Sequence, residues 1–344
     1  MSDIDKVFAG SIPKLYDTYL VPLIFAPYAA DLVRRLRGRT LGRVLEIAAG
    51  TGVVTRAMAS ELPATTAIVA TDLNQAMLDH AAAVGTSRAV EWRQADAMTL
   101  PFPEASFDAV VCQFGVMFFP DRPKAYAEAR RVLKPGGVFL FNAWDRLADN
   151  EFAQTATDAL ATVFPQDPPR FMARTPHGYH ERAAIERDLA SGGFEKPARI
   201  ATVTARSRAP SAREPAIAYC QGTPLRSEIE ARDAAKLGEA TDVVAKAWRS
   251  ASAPAPSTAR SRRTSSAWKS EAAAAASAIA YATRRHRTCN SSMSQDRSRP
   301  SVPTFNTRMN KFDAGFRPSQ CGYRRSMVRL APSHHRSSRR ADIT

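Results

Sequence analysis

Apolar and polar positions change their period several times along this chain. Over the first forty residues, Leu15, Tyr16, Tyr19, Leu20, Leu23 and Ile24 recur at helical spacing and predict a helical N-terminal cap. From residue 43 onward, short continuous apolar runs alternate with helix-spaced stretches. Strands are predicted at 44–47, 67–71, 90–94, 107–112 and 138–143, and helices at 53–61, 75–83 and 123–132. Lys134-Pro135-Gly136-Gly137 is a turn signal between the last of these helices and the last strand. Strands that are apolar at successive positions are buried on both faces. Their alternation with helices therefore predicts a doubly wound α/β fold, with a mostly parallel sheet and helices on both faces. A ligand is expected beyond the carboxyl ends of the strands.

Beyond residue 150 the pattern loosens. Residues 150–164 read as a helix and 165–178 as a proline-rich loop with the position of a lid. A helix over 183–190 stops at Ser191-Gly192-Gly193-Phe194, a glycine C-cap followed by an apolar residue. Residues 198–205 alternate as a strand does, and helices follow at 212–220 and 225–247. Near Trp248 the periodicity ends in a Ser-, Arg-, Ala- and Pro-rich tail. We therefore divide the chain into a domain over 1–246 and a tail over 247–344, the latter read as disordered or aberrant. The aberrant reading is a shift of frame near Trp248. Residues 257–266 can be encoded by a GC-rich stretch that, one frame over, spells Ile-Asp-Gly-Lys-Ile-Gln-Ala-His-Val-Val, a turn followed by a strand.

Charge sharpens this division. The tail carries 19 Lys and Arg against 4 Asp and Glu, the whole of the chain's net +15, and leaves 29 of each sign in residues 1–246. The domain is neutral and makes no case for a specific nucleic-acid partner. Arg262-Arg263, Arg284-Arg285-His286-Arg287 and Arg339-Arg340 in the tail suit nonspecific polyanion contact only. Cys112, Cys220, Cys289 and Cys321 show no CxxC spacing, so free thiols in a reducing cytoplasm are expected and no metal site. The N-terminus, Met1-Ser2-Asp3-Ile4-Asp5, lacks a basic leader region. The apolar stretch 19–33 is broken by Pro22, Pro27 and Asp31, too short for a membrane span.

The chemistry concentrates at Arg43-Val44-Leu45-Glu46-Ile47-Ala48-Ala49-Gly50-Thr51-Gly52. An apolar run ends in an acidic residue and a small-residue turn, and a helix follows at once. Such a turn aims backbone N–H groups beyond the strand end and lets a ligand approach the main chain. Further motifs follow in order: Ala70-Thr71-Asp72-Leu73-Asn74-Gln75-Ala76-Met77-Leu78, then Ala95-Asp96-Ala97-Met98-Thr99-Leu100-Pro101-Phe102, then Phe107-Asp108-Ala109-Val110-Val111-Cys112, then Glu128-Ala129-Arg130-Arg131-Val132-Leu133-Lys134-Pro135-Gly136-Gly137. Taken together, the set resembles the class I S-adenosylmethionine-dependent methyltransferases over about residues 10–246, in the branch similar to ubiquinone/menaquinone C-methyltransferases. The resemblance implies a Rossmann-like fold, S-adenosylmethionine as cofactor and a small-molecule methyl acceptor. It also implies a closing hairpin whose last strand inserts between the fifth and sixth. The tail holds no obvious equivalent of that strand, so an exposed apolar edge is expected.

Within this frame, Glu46, Ala48, Gly50, Thr51 and Gly52 form the first cofactor-binding turn, with Glu46 expected to fix the turn and the cofactor's amino end. Ala48 stands where glycine is commonest in the family and permits close approach at negative φ. Because Ala48-x-Gly50-x-x-Val53 is not GxGxxG, it weakens a dinucleotide reading. Asp72, 20 residues after Gly52, suits two ribose hydroxyls, or caps the next helix, a role Asn74 can also fill. Leu73 and Met77 either flank the adenine or pack in the core. Asp96 accepts from the adenine amino group, with Ala97 supplying an N–H, or it shapes a turn.

Gln113 and Phe114 fall beside the expected methyl donor, where an aromatic face or a carbonyl suits a sulfonium. Phe114, Met117, Phe118 and Phe119 read equally as pocket lining or core. Tyr16 and Tyr19 either cover the cofactor or substrate or pack inward. Methyl transfer by in-line displacement asks the protein for alignment and water exclusion. A base is needed only for a protonated nucleophile, and His177 and His180 are the candidates, against the alternative of exposed loop histidines. The other function classes are an NAD(P)-dependent oxidoreductase on a similar sheet and a cofactor-binding chain without activity.

Overall fold

The computed structural model describes residues 8–251 and, as backbone, Ala274–Thr283. The chain opens with α1 (Ile12–Leu15), passes through a π-helical stretch, Tyr16–Phe25, and enters α2 (Ala26–Arg34). Pro22 lies inside the π-helical stretch, where the Ala26 N–H reaches back to Val21 O. Proline has no N–H to give to an α-helical ladder, and the wider winding accommodates it. Strand and helix then alternate: β1 (Arg43–Ile47), α3 (Val53–Glu61), β2 (Ala67–Asp72), α4 (Gln75–Val84), β3 (Glu91–Gln94), β4 (Phe107–Gln113), α5 (Arg122–Val132) and β5 (Leu133–Trp144). After them come α6 (Glu151–Val163), α7 (Phe171–Arg174), α8 (Arg182–Ser191), β6 (Arg199–Arg206), α9 (Arg213–Gln221), α10 (Leu225–Asp233), α11 (Leu237–Ala251) and β7 (Ala274–Thr283).

The sheet order is β3-β2-β1-β4-β5-β7-β6. β1 to β5 are parallel, and β7 runs antiparallel to both β5 and β6. Successive residues of the central strands face opposite ways. Ala109 and Val111 of β4 join Leu32 and Val33 of α2 and Val54 and Met58 of α3 in one core. Val110 and Cys112 join Tyr126 and Ala129 of α5 in the other. This is the doubly wound, Rossmann-like arrangement expected from runs apolar at every position. Chain order reverses between β1 and β4, the switch point where such sheets bind ligands. Among the described residues no helix is long and apolar enough to cross a membrane.

Several details differ from the sequence reading. The expected exposed edge beside β5 is corrected: Ala274–Thr283 fills that slot, pairing Val138–Trp144 on one side and Arg199–Arg206 on the other. Within this alanine-rich run Ile279, Tyr281 and Thr283 alternate with alanine as a strand does, and two sheet edges supply its hydrogen-bond partners. Lys134 to Gly137 lie inside β5, where the register with β4 jumps from Phe107–Leu133 to Ala109–Val138. Their turn character survives as a bulge that brings Lys134 Nζ to Asp108 at 2.8 Å. The helix expected over 225–247 breaks at Asp233, which is extended and accepts from the Ala235 N–H.

The proline-rich loop contains α7, whose Phe171 and Met172 are buried. Glu228 of α10 accepts from the Arg170 and Phe171 N–H groups and from the Arg174 guanidinium, and so pins the loop down. The basic runs of the tail, Cys289, Cys321 and the frame-shift reading of 257–266 lie outside the described residues.

Candidate functional site

The turn after β1 is built almost wholly from backbone bonds. Ala49 N–H donates to Thr71 O at 2.9 Å, and Thr71 Oγ1 donates to Glu46 O at 2.9 Å, lacing β1 to β2. Asp72 takes the Gly50 N–H on one oxygen and the Asn74 N–H on the other, each at 2.8 Å. Burial pushes the Asp72 carboxyl up, and the N–H bonds from Asn74 and Gly50 work against that push. Asn74 is the first flanking residue of α4 but makes no side-chain cap; its Oδ1 instead accepts from the Phe8 N–H.

Ala48 adopts φ +54°, not the negative φ on which its tolerance was argued. A Cβ in this left-handed region costs about 1–2 kcal/mol. Space for the methyl comes from Gly115, where an added Cβ would stand 2.5 Å from Ala48 Cβ. Gly52, at φ +83°, packs outward: a Cβ there would meet the Trp92 ring at 3.0 Å.

One pocket opens over the carboxyl ends of β1 to β4 beneath the N-terminal helical arm. Of the residues singled out from sequence, it gathers Tyr16, Ala48, Gly50, Asp72, Leu73, Met77, Asp96, Ala97, Gln113 and Phe114 in its wall. Leu73 is 47% exposed there, so core packing does not account for it, whereas Met77 is buried. Asp96 accepts from the Met98 N–H as a turn residue and also lines the pocket. Gln113 donates to Phe25 O at 3.4 Å, and its buried Oε1 has no partner. Phe118 and Phe119 belong to the wall, while Met117 is core.

Glu46, Thr51, Gly52, Tyr19 and His180 are not in this wall. The Glu46 carboxylate turns to Thr55 Oγ1 of α3 at 2.5 Å, and burial pushes its pKa up to about 8. Thr51 is buried with an unpartnered Oγ1, and Tyr19 packs against the apolar core. His180 points its Nε2 at Glu181, 3.0 Å away.

Beyond Gln113 the pocket becomes an aromatic chamber that sequence reasoning missed. Phe25, Trp144, Phe152, Phe171 and Tyr219 wall it together with Phe114, and Leu20, Ile24 and Met172 fill between them. Phe114, itself at φ +51°, stacks on Trp144 with ring centres 3.9 Å apart and planes 7° apart. Tyr28 meets both rings edge-on. Only Trp144, at a strand's carboxyl end, carried a usable signal; the others come from helices whose apolar faces look like core.

His177 also lies in this wall, buried rather than exposed as a loop histidine. Its Nδ1 bonds to Asp145 O at 2.8 Å, and burial pushes its pKa down to about 4. The arrangement therefore joins a polar rim able to accept hydrogen bonds from a nucleoside to a largely apolar chamber with one imidazole. The unpartnered Gln113 Oε1 and the close-approach turn at Gly50 fit an adenosyl group bearing hydrogen-bond donors.

Residues 45–141 match the family model described as a methyltransferase domain. The ubiquinone/menaquinone biosynthesis C-methyltransferase UbiE of Pseudomonas savastanoi pv. phaseolicola is 38% identical over 130 residues, 37% of this chain and 50% of that protein. The chain thus spans about half the length of the first curated relatives it matches. The UbiE of Ectopseudomonas mendocina is 31% identical over 214 residues, 56% of this chain and 76% of that protein. Among solved structures, Haemonchus contortus phosphoethanolamine N-methyltransferase 2 has a TM-score of 0.49 at 18% identity, covering 80% of this chain and 57% of that one. With the motif order and a relative matched over three quarters of its length, the chain belongs to the class I S-adenosylmethionine-dependent methyltransferases, in the ubiquinone/menaquinone C-methyltransferase branch.

Proposed function

We propose that this chain methylates a planar, hydroxylated small molecule held in the aromatic chamber, by in-line displacement. When bound, S-adenosylmethionine supplies a methyl group activated on a sulfonium, with a neutral thioether as leaving group. The observation that carries the reading is continuity: Asp72, Leu73 and Asp96 share one pocket with Phe114, Trp144 and His177. A nucleoside on the rim and an acceptor in the chamber would then face each other without intervening solvent.

In this reading Asp72 receives the ribose hydroxyls, Leu73 and Met77 bracket the adenine, and Asp96 and Ala97 hold its polar edge. Gln113 and the Phe114 face lie beside the methyl donor, and Tyr16 covers it. Glu46, Thr51 and Gly52 act one layer back by shaping the turn, with Thr55 binding Glu46. Flat apolar walls such as the Phe114–Trp144 stack favour a flat acceptor. The relatives named for C-methylation in quinone biosynthesis support a hydroxylated ring. The methyltransferase domain as we read it covers 1–246, with 247–344 a basic tail from which the sheet recruits β7.

Calorimetry with S-adenosylhomocysteine and, separately, NAD tests the cofactor. Methyl-label transfer to methylhydroquinone, catechol and an aliphatic amine tests the acceptor. We expect homocysteine-nucleoside binding, no NAD binding and label in a hydroxyarene. NAD binding alone would favour an oxidoreductase, and binding without transfer to any acceptor would favour a cofactor-binding protein.

A further inference from the structure

The structure assigns His177 as the catalytic base that takes the hydroxyl proton of the acceptor, through Nε2, in the chamber. This rests on the hydroxyarene reading above and adds to it the residue that activates the nucleophile. A carbonyl only accepts, so the 2.8 Å bond to Asp145 O requires the proton on His177 Nδ1. The lone pair is thereby left on Nε2, for which no protein partner exists among the described residues. The surroundings of the residue are fixed as well: its backbone N–H donates to Met172 O at 3.0 Å, the Trp144 ring lies 6.1 Å away between centres, and Asn150 Nδ2 also donates to the Asp145 carbonyl at 3.3 Å. Asp145 and His180 are the titratable groups that act on the ring, and His180 is itself turned to Glu181. Burial keeps the imidazole neutral at physiological pH, so Nε2 carries its lone pair, and the same burial makes it a weak base that takes the proton only as the methyl group transfers.

In the step itself the acceptor O–H bond breaks, its proton bonds to Nε2, and the electron pair stays on the acceptor oxygen. The ring becomes an imidazolium and later passes the proton to water. A hydroxyarene so ionised is nucleophilic at oxygen and at the ring carbons beside it.

The test uses the full chain with methylhydroquinone and catechol as probe acceptors. His177→Ala and His177→Gln should bind S-adenosylhomocysteine as wild type does, and both should lose about 100-fold or more in kcat. Their rates should climb about tenfold per pH unit toward the acceptor's own pKa, while wild type stays flat above the acidic range. Imidazole added to His177→Ala should restore part of the rate. In 15N-histidine-labelled wild type, methylhydroquinone should shift the Nε2 resonance and leave Nδ1 in place. Recovery of the wild-type rate by His177→Gln would reduce the ring to a spacer and overturn the inference. So would an unchanged pH profile or an unmoved Nε2 signal. A wild type that binds S-adenosylhomocysteine but methylates only the aliphatic amine overturns the hydroxyarene reading, and the base with it.

Discussion

The rim of the pocket and its chamber are built by opposite means. At the rim, Gly50, Asp72, Asn74, Asp96 and Met98 are tied by short bonds between residues close to β1, β2 and β3, most of them through backbone N–H groups. In the chamber, Phe25, Phe114, Trp144, Phe171 and Tyr219 come from five separated parts of the chain; the first three meet through ring packing, while Phe171 packs near Phe118 and Tyr219 near Phe152. A rim made of main chain holds one ligand shape whatever surrounds it. A chamber made of side chains from distant elements can be recut by substitution without disturbing the sheet. On the reading proposed above, the cofactor is therefore the constant of this architecture and the acceptor its variable.

Trp144→Ala presses hardest on that contrast. It removes a buried ring stacked on Phe114 and edged by Tyr28, and should cost about 3–5 kcal/mol in chemical denaturation. If rim and chamber are separable, S-adenosylhomocysteine affinity measured on the folded variant should change little while acceptor KM rises. Asp72→Ala is the reverse experiment. It deprives the Gly50 and Asn74 amides of their partner and removes the acceptor at the rim. S-adenosylhomocysteine binding to the folded variant should weaken by about 1.5–3 kcal/mol in calorimetry, and a loss of stability with unchanged binding would instead mark Asp72 as purely structural.

Glu46 tests the layer behind the rim. Its folded pKa of about 8 stands above its ordinary 4.5, so the folded state holds the proton more tightly than the unfolded chain. Its stabilising contribution is complete below the unfolded pKa and is lost as pH rises through the folded one. Glu46→Gln, which keeps an acceptor for Thr55, should gain on wild type by up to about 1.4 kcal/mol per pH unit across that window and level off above it. Thermal melts of the two proteins from pH 5 to 9 check this, and parallel curves would contradict the buried, protonated carboxyl. The smallest effect is expected from Ala48→Gly. Relief of φ +54° should stabilise by about 0.5–1 kcal/mol, measured by urea titration, and leave the chamber untouched.

How far the primary structure could be read follows from the same contrast. The five parallel strands, their order of helices and the turn at Ala48 to Gly52 were legible because each is written within a dozen residues. The alternation of apolar runs needs no partner to be recognised. Asp72 and Asp96 drew attention for the same reason, as acidic residues at or near strand ends. Glu46 obeyed the same local rule, yet its carboxylate turned to Thr55, because a helix docked behind the strand offered a hydroxyl and the pocket did not reach it. His177 and His180 look alike in sequence; only the Asp145 carbonyl and the Trp144 ring distinguish the buried one. β7 was missed because its short alternation of Ile279, Tyr281 and Thr283 with alanine sits in a Ser- and Arg-rich tail, where only pairing with β5 and β6 marks it as a strand. Periodicity reports which side of an element avoids water. Whether that side then meets another side chain or an empty chamber depends on how distant elements converge, and that is settled only by packing.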